Sequence, residues 1–328
     1  MQYRILGKTG LKVSAVGFGG IPIQRIDARG TRALMERLVE KGVNYIDTAR
    51  GYTVSESYLG EALSGGLREK FILATKSMSR GYADMARDIG ISLSNLRTDY
   101  IDLYQLHNIK SDADFELAFS AEGAVAAIQD AIRAGKVGHL GATAHSVDSF
   151  ERLLSYPEIE TIMFPYNIVE SQGEALMERA AAQNVGVIAM KPLAGGNITD
   201  GTLAMRYILQ NKTCTLAIPG MATLEEIEQN TAAAEQDGPA ALDLLDRLHR
   251  RSWPHAKPSA PGFRAISAAG ADTVRRVRWA SISRVSSRWK TISSITIWRT
   301  GPDRATSLRR QGRGTASAAV SARSAALT

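Results

Sequence analysis

Short, β-rich apolar runs alternate with segments of helical apolar spacing along the first two thirds of the chain. Strands that alternate with helices in this way predict a parallel sheet built from βα units. Eight runs have the character of strands: Val13–Gly19, Val43–Thr48, Phe71–Lys76, Tyr100–His107, Val137–Thr143, Thr161–Asn167, Val185–Lys191 and Leu216–Pro219. Eight such units predict an α/β fold of the (β/α)8 TIM-barrel type.

The segments between the predicted strands have the periodicity of amphipathic helices. Leu34 and Leu38 are four residues apart, as are Ala124 and Ile128, and this spacing places each pair on one helix face. Several of these segments end at a glycine, which is the expected helix stop. A leading segment over residues 3–11, with two glycines, predicts a short N-terminal hairpin at the bottom of the barrel.

Polar residues stand at or just beyond the carboxyl ends of five predicted strands. They are Asp47, Lys76, His107, Asn167 and Lys191. In a β/α barrel these ends converge on one face, where active sites are built. The pattern therefore predicts a polar site at that face.

A proton donor for carbonyl reduction is available close to this predicted site. Tyr52 follows Asp47 by five residues, and a phenol with a pKa near ~10 needs a neighbouring cation to stabilise its phenolate. Lys76 would supply the cation, and a buried ammonium in turn needs a carboxylate such as Asp47. His107 would orient the carbonyl oxygen. Taken singly, Asp47 and Lys76 could equally form a structural ion pair.

Three runs carry a resemblance to a known family: 17–20 (Gly-Phe-Gly-Gly), 47–49 (Asp-Thr-Ala) with Tyr52, and 103–107 (Leu-Tyr-Gln-Leu-His). Over roughly residues 1–240 the chain resembles the aldo-keto reductases. The resemblance implies a nicotinamide-dependent reductase or dehydrogenase that interconverts carbonyls and alcohols. It also implies that Tyr52, Lys76, Asp47 and His107 are the catalytic tetrad.

The cofactor would be held by the barrel itself, because no Gly-x-Gly-x-x-Gly follows the first strand. By resemblance, Thr143 and Asn167 hold the nicotinamide carboxamide, and Met190 stands where relatives place a stacking aromatic ring. Asn230 resembles a residue that contacts adenine. The remaining predicted cofactor contacts are Gly19, Lys191, Pro192, Leu193, Gly195, Gly220, Met221 and Thr223. Their loops supply backbone amides and a helix amino end suited to phosphates.

The resemblance implies NADP as the cofactor, but one position leaves NAD open. Family members often carry a basic residue just after the Ile-Pro-Gly run to hold the ribose phosphate. In this chain the corresponding stretch, 222–226, reads Ala-Thr-Leu-Glu-Glu and contains neither Arg nor Lys.

The net charge of +7 is unevenly distributed. Residues 251–328 contain 15 Lys and Arg against 2 Asp and Glu, so the rest of the chain is mildly acidic. We therefore expect a barrel domain over residues 1–245 and a basic, poorly ordered segment over 246–328. Cys214 is the single cysteine, so the chain as written offers no cysteine metal site or iron–sulfur cluster. No signal peptide or membrane span is evident, which predicts a cytoplasmic protein.

The basic segment also suggests a reading-frame error. A related aldo-keto reductase subgroup carries a C-terminal ferredoxin-like segment, and a shifted frame would permit cysteine codons in two arrays here. The positions are Ala268, Ala271, Val274, Val277, Ala316, Ala319, Ala322 and Ala326. The second array has the bacterial ferredoxin spacing. We hypothesise a frameshift between about codons 245 and 265; a ferredoxin-like electron partner would apply only to the restored frame.

Two other functions stay open at this point. The first is a regulatory or redox-sensing subunit that binds the cofactor without significant turnover. The second is a nucleic-acid binder that acts through Arg275, Arg276, Arg278 and their neighbours, although the acidic barrel disfavours it. The favoured partner is a small carbonyl or alcohol substrate.

Overall fold

The computed structural model describes residues 1–234, and their strands and helices alternate as the sequence predicts. The strands are β1 (Tyr3–Ile5), β2 (Lys12–Ser14), β3 (Phe18–Gly19), β4 (Tyr45–Asp47), β5 (Ile72–Ser77), β6 (Ile101–Leu106), β7 (Val137–Thr143), β8 (Thr161–Pro165), β9 (Gly186–Met190) and β10 (Leu216–Ala217). The helices are α1 (Ala28–Glu40), α2 (Ser55–Ala62), α3 (Tyr82–Leu96), α4 (Asp112–Ala118), α5 (Ala124–Arg133), α6 (Val147–Leu153), α7 (Glu174–Ala182), α8 (Gly201–Gln210) and α9 (Leu224–Ala232).

Strands β3 to β10 form one parallel sheet in sequence order, and its two edges meet. Val16 and Gly19 bridge to Ala217 and Gly220 in parallel, and the amide of Gly17 donates to the carbonyl of Ala217 at 2.8 Å. The predicted (β/α)8 barrel is confirmed.

The prediction of one continuous first strand over Val13–Gly19 was wrong, because this segment contributes to two different sheets. Its start, in β2, pairs antiparallel with β1, and only Phe18–Gly19 is the barrel strand. The side chain of Asn44 accepts from the amide of Ser14 at 2.7 Å, and the Ser14 hydroxyl donates to the Val16 carbonyl. These bonds turn the chain between the two sheets.

The predicted N-terminal hairpin closes the bottom of the barrel. Leu6 follows β1, is fully buried and packs with the apolar side chains that fill the barrel interior. Gly7 adopts a left-handed backbone (φ +53°), where a Cβ would overlap the amide of Gly186. The hairpin therefore needs glycine at this position to reach the barrel.

The helices cover the outside of the sheet through the predicted apolar positions. Leu34 and Leu38 of α1 and Ile128 of α5 are buried in a second apolar layer between sheet and helices. Asp27 begins α1 by accepting a hydrogen bond from Gly30 N at 2.7 Å. Within residues 1–234, no helix is long and apolar enough to cross a membrane.

Candidate active site

An ion pair lies at the carboxyl end of two neighbouring strands. Asp47 ends β4, and Lys76 is the penultimate residue of β5. The Lys76 Nζ donates to Asp47 Oδ2 and to the carbonyl of Thr48 at 2.8 Å. Both side chains are buried, with 1% of Lys76 and 2% of Asp47 exposed. The pairing compensates two charges that could not otherwise be buried.

Tyr52 and His107 lie above this pair. Tyr52 is in the loop between β4 and α2, and the Lys76 Nζ is 4.9 Å from the centre of its ring. His107 follows β6, and its ring meets that of Tyr52 edge to face, with centroids 5.9 Å apart. Tyr52 and His107 are both half-buried. The structure thus brings together the four side chains that the sequence singled out.

Burial controls the protonation of these groups. It raises the pKa of Tyr52, with Lys76 opposing the increase, so the phenol is protonated at neutral pH. Burial also raises the pKa of Asp47, which the charge and hydrogen bond of Lys76 oppose. For His107, burial first and then Lys76 lower the pKa to about 3. The imidazole is therefore neutral at physiological pH.

The loop that carries Tyr52 is held on both sides. The amide of Arg50 donates to the carbonyl of Lys76 at 3.0 Å, and the amide of Tyr52 donates to the carbonyl of Ala49 at 3.0 Å. Thr53 has a left-handed backbone with φ of 37°. Arg50 Nη1 also contacts Glu56 Oε2 at 2.8 Å. These contacts fix the position of the phenol relative to Lys76.

Two polar residues at the site, Arg80 and Gln105, and one behind it, Glu56, escaped the sequence analysis. Glu56, in α2, is 1% exposed and accepts from Thr75 and other donors behind β5. Arg80 Nη2 donates to the carbonyl of His107 at 2.8 Å. Gln105 Nε2 donates to Asp47 Oδ1 at 3.1 Å. Only Gln105 left a signal, because a polar residue interrupts the apolar alternation of its strand.

The glycine-rich loop after β9 lies at the same end of the barrel. Lys191 and Gly195 are exposed, Pro192 is buried and Leu193 is half-buried. Lys191 and Gly195 have φ values of 53° and 69°, and a Cβ on Gly195 would meet open space. Left-handed residues in a loop of this kind turn backbone amides toward a common concavity that suits a phosphate.

Gly19 and Gly220 lie at the seam where the barrel closes. The amide of Gly19 donates to the carbonyl of Pro219 at 2.9 Å, and a Cβ on Gly220 would come within 2.7 Å of Pro22. Met221 is fully buried in the apolar layer outside the sheet. Any contact of Met221 with a cofactor would therefore be made by its backbone.

Both residues predicted to contact the carboxamide already have hydrogen-bond partners within the chain. Thr143 Oγ1, at the end of β7, accepts from the amide of Asn108 at 2.7 Å. Asn167 Nδ2 donates to Glu170 Oε2 and to the carbonyl of Lys191. Asn167 Oδ1 accepts from the amides of Val169 and Glu170. A contact of Asn167 with nicotinamide stays a prediction, and it would require one of these four bonds to be exchanged.

Met190 ends β9 and is half-buried, and it packs against the apolar interior of the barrel. Asn230, in α9, is 2% exposed, and a Cβ on Gly201 would lie 2.6 Å from its Oδ1. The Asn230 side chain therefore faces the close contact of α8 with α9. Stacking at Met190 and an adenine contact at Asn230 stay predictions.

The amino end of α9 is closed by its own side chains. Thr223 Oγ1 accepts from Glu226 N at 3.2 Å. Glu226 Oε2 accepts from the amides of Ala222 and Thr223 at 2.6 and 3.2 Å. This capping box places a carboxylate on the amides that the sequence analysis offered to a phosphate.

The exposed left-handed loop after β9 lies at the same end of the barrel as Tyr52 and fits a dinucleotide in part. The amides of Ala194, Gly196, Asn197 and Ile198 already donate to carbonyls of the loop, so a pyrophosphate would contact the remaining amides. His107 Nδ1 is buried and, among residues 1–234, has no hydrogen-bond partner.

The model of the aldo/keto reductase family matches residues 15–202, which is more than half of the chain. The chain belongs to the aldo/keto reductase family. It is therefore an NAD(P)-dependent oxidoreductase of carbonyl compounds, and aldo-keto reductases generally use NADP(H).

Two curated relatives illustrate the range of the family. The chain is 27% identical to L-galactose dehydrogenase of Arabidopsis thaliana over 316 residues, covering 77% of this chain and 97% of the relative. It is 28% identical to a methylglyoxal reductase of Escherichia coli over 240 residues, covering 64% and 81%.

Two solved structures support the same fold. A putative aldo-keto reductase from Pseudomonas aeruginosa aligns with a TM-score of 0.64 and 29% identity, covering 71% of this chain and 95% of that one. The holo form of an aldo-keto reductase from Bacillus halodurans aligns with a TM-score of 0.67 and 25% identity, covering 76% and 96%.

Three predictions concern residues beyond 234. They are the domain boundary at 245, the reading-frame hypothesis and the nucleic-acid alternative, and all three lie outside the described residues. Each stays a prediction.

Proposed function

We propose that the protein interconverts a small carbonyl compound and its alcohol by hydride transfer, with Tyr52 as the general acid and base. One observation carries the proposal: the Lys76 Nζ lies between the Asp47 carboxylate and the Tyr52 ring. A phenol next to a cation that is itself held by a buried carboxylate is suited to proton transfer.

In the reductive direction, the Tyr52 hydroxyl donates its proton to the carbonyl oxygen as negative charge develops there. Lys76 stabilises the phenolate that this transfer leaves, and Asp47 keeps Lys76 charged. The neutral ring of His107 orients the carbonyl oxygen by a hydrogen bond. When bound, the reduced nicotinamide supplies the hydride to the carbonyl carbon. The alcohol product thus gains one hydride and one proton.

The pKa of Tyr52 sets the direction of the pH dependence. Because burial raises that pKa, the phenol is the acid required for reduction at neutral pH. Carbonyl reduction should decline only as the pH rises past the phenol's ordinary value of about 10. Alcohol oxidation needs the phenolate and should increase over the same range.

By the family resemblance, we place the adenosine end of the cofactor at the amino end of α9. This placement bears on the choice between NAD(H) and NADP(H). A 2′-phosphate would bring negative charge to amides already bonded to Glu226, and Glu225 lies in the same first turn. We therefore propose that NAD(H) is accepted at least as well as NADP(H). Ala222→Arg should shift the ratio of kcat/KM toward NADPH, whereas an unchanged ratio would contradict this placement.

Tyr52→Phe tests the catalytic assignment. Methylglyoxal and L-galactose, the compounds named in two relatives, serve as first probes of reduction and oxidation. We expect turnover to fall by about 10²- to 10⁴-fold, with cofactor binding retained when followed by fluorescence titration. Tyr82→Phe is the matched control, because its hydroxyl bonds to Asp130 on the outer helices. Full turnover in Tyr52→Phe would contradict Tyr52 as the acid, whereas cofactor binding without measurable turnover in the wild type would favour the regulatory alternative.

A further inference from the structure

A polar side chain lies beneath the four candidate catalytic residues, inside the barrel. Gln105 of β6 is fully buried, and its Nε2 donates to Asp47 Oδ1 at 3.1 Å. Leu103, two residues earlier, packs in the apolar interior, and His107, two residues later, faces Tyr52. Because successive side chains of a strand point to opposite faces, Gln105 points into the barrel, between the apolar interior and the site.

The space that Gln105 occupies depends on a glycine in the next strand. Gly141 pairs with Gln105 on one side and with Thr161 on the other. A Cβ on Gly141 would lie 3.1 Å from Gln105 Cγ and would overlap Thr161 Oγ1. Gln105 Oε1 and Thr161 Oγ1 are both buried and, within the part of the chain that the structure describes, have no hydrogen-bond partner. Both side chains therefore occupy space that a side chain at position 141 would fill.

We propose that Gln105 is a positioning residue for the reaction: its carboxamide fixes the Asp47 carboxylate, which in turn holds the Lys76 ammonium beside Tyr52. The inference rests on the proposed function of these residues. Gly141 provides the space for the carboxamide.

Each oxygen of the Asp47 carboxylate accepts from one side chain among the described residues. Its Oδ2 accepts from Lys76 and its Oδ1 accepts from Gln105. Donors on both oxygens fix the orientation of the carboxylate, and the carboxylate holds the Lys76 ammonium next to the Tyr52 ring. Without the bond from Gln105 the carboxylate can rotate, and the ammonium is no longer fixed beside Tyr52.

Other charged and titratable groups face this pair and stay in place when Gln105 is changed. They are Tyr45 on the strand of Asp47, Tyr52 in the loop after that strand and His107 directly after β6, with Arg80 and His145 acting on His107. Burial already raises the pKa of Asp47, and the bond from Gln105 opposes that increase. Loss of the bond therefore moves the pKa of Asp47 further upward.

The sign of the effect on activity follows. With the Lys76 ammonium less firmly held beside Tyr52, the phenolate of Tyr52 is less stable, and the pKa of Tyr52 rises. Alcohol oxidation, which needs the phenolate, should then require a higher pH, and carbonyl reduction should be slower because the phenol is a weaker acid. KM and cofactor affinity should change little, because Gln105 lies below the site.

Gln105→Met removes the hydrogen bond at similar volume and is the principal test. We expect the rising limb of the pH profile of alcohol oxidation to move upward by about one pH unit and kcat of reduction to fall about tenfold. Tyr104→Phe is the matched control, since Tyr104 belongs to the same strand but packs in the outer apolar layer. It should leave both quantities unchanged. An unshifted limb in Gln105→Met would overturn the inference.

Gln105→Glu provides a second test that does not depend on the folding of the apolar variant. When protonated, the new carboxyl group can donate to Asp47 in place of the amide; when ionised, it cannot. Reduction by this variant should therefore match wild type at acidic pH and fall below it as the pH rises, and a constant ratio to wild type would contradict the inference. Failure of the proposed function is distinguishable, because full turnover in Tyr52→Phe would show it whatever the Gln105 variants do.

Discussion

Two buried polar clusters lie on opposite faces of strand β5. The inner polar cluster faces the barrel interior and consists of Asp47, Lys76 and Gln105. The outer polar cluster lies between the sheet and the helices and consists of Arg50, Glu56, Thr75 and Ser92. Adjacent residues of one strand, Thr75 and Lys76, thus contribute to different clusters because side chains alternate across a sheet.

The carboxylates of the two clusters differ in the number of side chains that donate to them. Glu56 Oε1 accepts from Thr75 and Ser92 at 2.8 Å each, and Glu56 Oε2 accepts from Arg50 and Asn95. Asp47 accepts from Lys76 and Gln105 alone among the side chains of residues 1–234, and each cluster keeps one buried atom without a hydrogen-bond partner there, Gln105 Oε1 and Arg50 Nε. The four donors of Glu56 tie its helix to β5 and α3, whereas the inner carboxylate serves the cation next to Tyr52.

Among changes within the two clusters, Lys76→Met should produce the largest effect on activity. The variant removes the cation beside Tyr52, so turnover should fall by about 10³-fold. It also leaves the Asp47 carboxylate buried without its cation, which should lower the free energy of unfolding. Steady-state kinetics and urea unfolding measure the two effects separately.

The double variant Lys76→Met/Asp47→Asn sharpens this result. Because both charges are removed, stability should return toward wild type while turnover stays low. Recovery of turnover along with stability would show that the inner cluster is structural and would remove the distinction between the two clusters.

Glu56→Ala should lower the stability of the protein more than its turnover. Its loss strands the hydroxyls of Thr75 and Ser92 and the guanidinium of Arg50, which should lower the free energy of unfolding by about 3 kcal/mol. The expected loss of stability is not larger because the Arg50 side chain is 24% exposed, so water can solvate its guanidinium.

Urea unfolding of Glu56→Ala beside Glu36→Ala gives the measurement and its control. Glu36 forms an exposed pair with Arg32, so its removal should change stability by less than about 0.5 kcal/mol. The pH profile of the folded Glu56 variant should keep the position of its limbs. A shift comparable to that expected for Gln105→Met would mean that the outer cluster also controls Tyr52.

The sequence was sufficient to predict the elements and the convergence of Asp47, Lys76 and His107 on one face, for identifiable reasons. Each barrel strand is a short apolar run, and Asp47, Lys76 and His107 are polar residues where such runs end. Convergence of parallel strand ends then brings them to one face. The position of Tyr52 relative to Lys76 depends on a loop and followed from the family resemblance.

Other features depend on partners that are remote in sequence. The split between β2 and β3 rests on Asn44, thirty residues from Ser14. Glu56 reads as an ordinary helical surface residue, because its donors come from β5 and α3. Gln105 was visible as a polar residue within an apolar alternation, but its partner Asp47 is 58 positions away. Pairings of this kind follow from packing and not from local pattern.

Thr223→Ala should have the smallest effect and gives a scale for the two buried clusters. Thr223 caps α9 at an exposed position, where its hydroxyl accepts from Glu226 N. Because water can replace an exposed cap, the free energy of unfolding should fall by about 1 kcal/mol. Thr98→Ala, which removes an exposed turn bond to Tyr100, should cost less. An equal loss of unfolding free energy in Thr223→Ala and Glu56→Ala would mean that burial adds little to the stability provided by the outer cluster. The inner and outer clusters would then differ in their effect on activity alone.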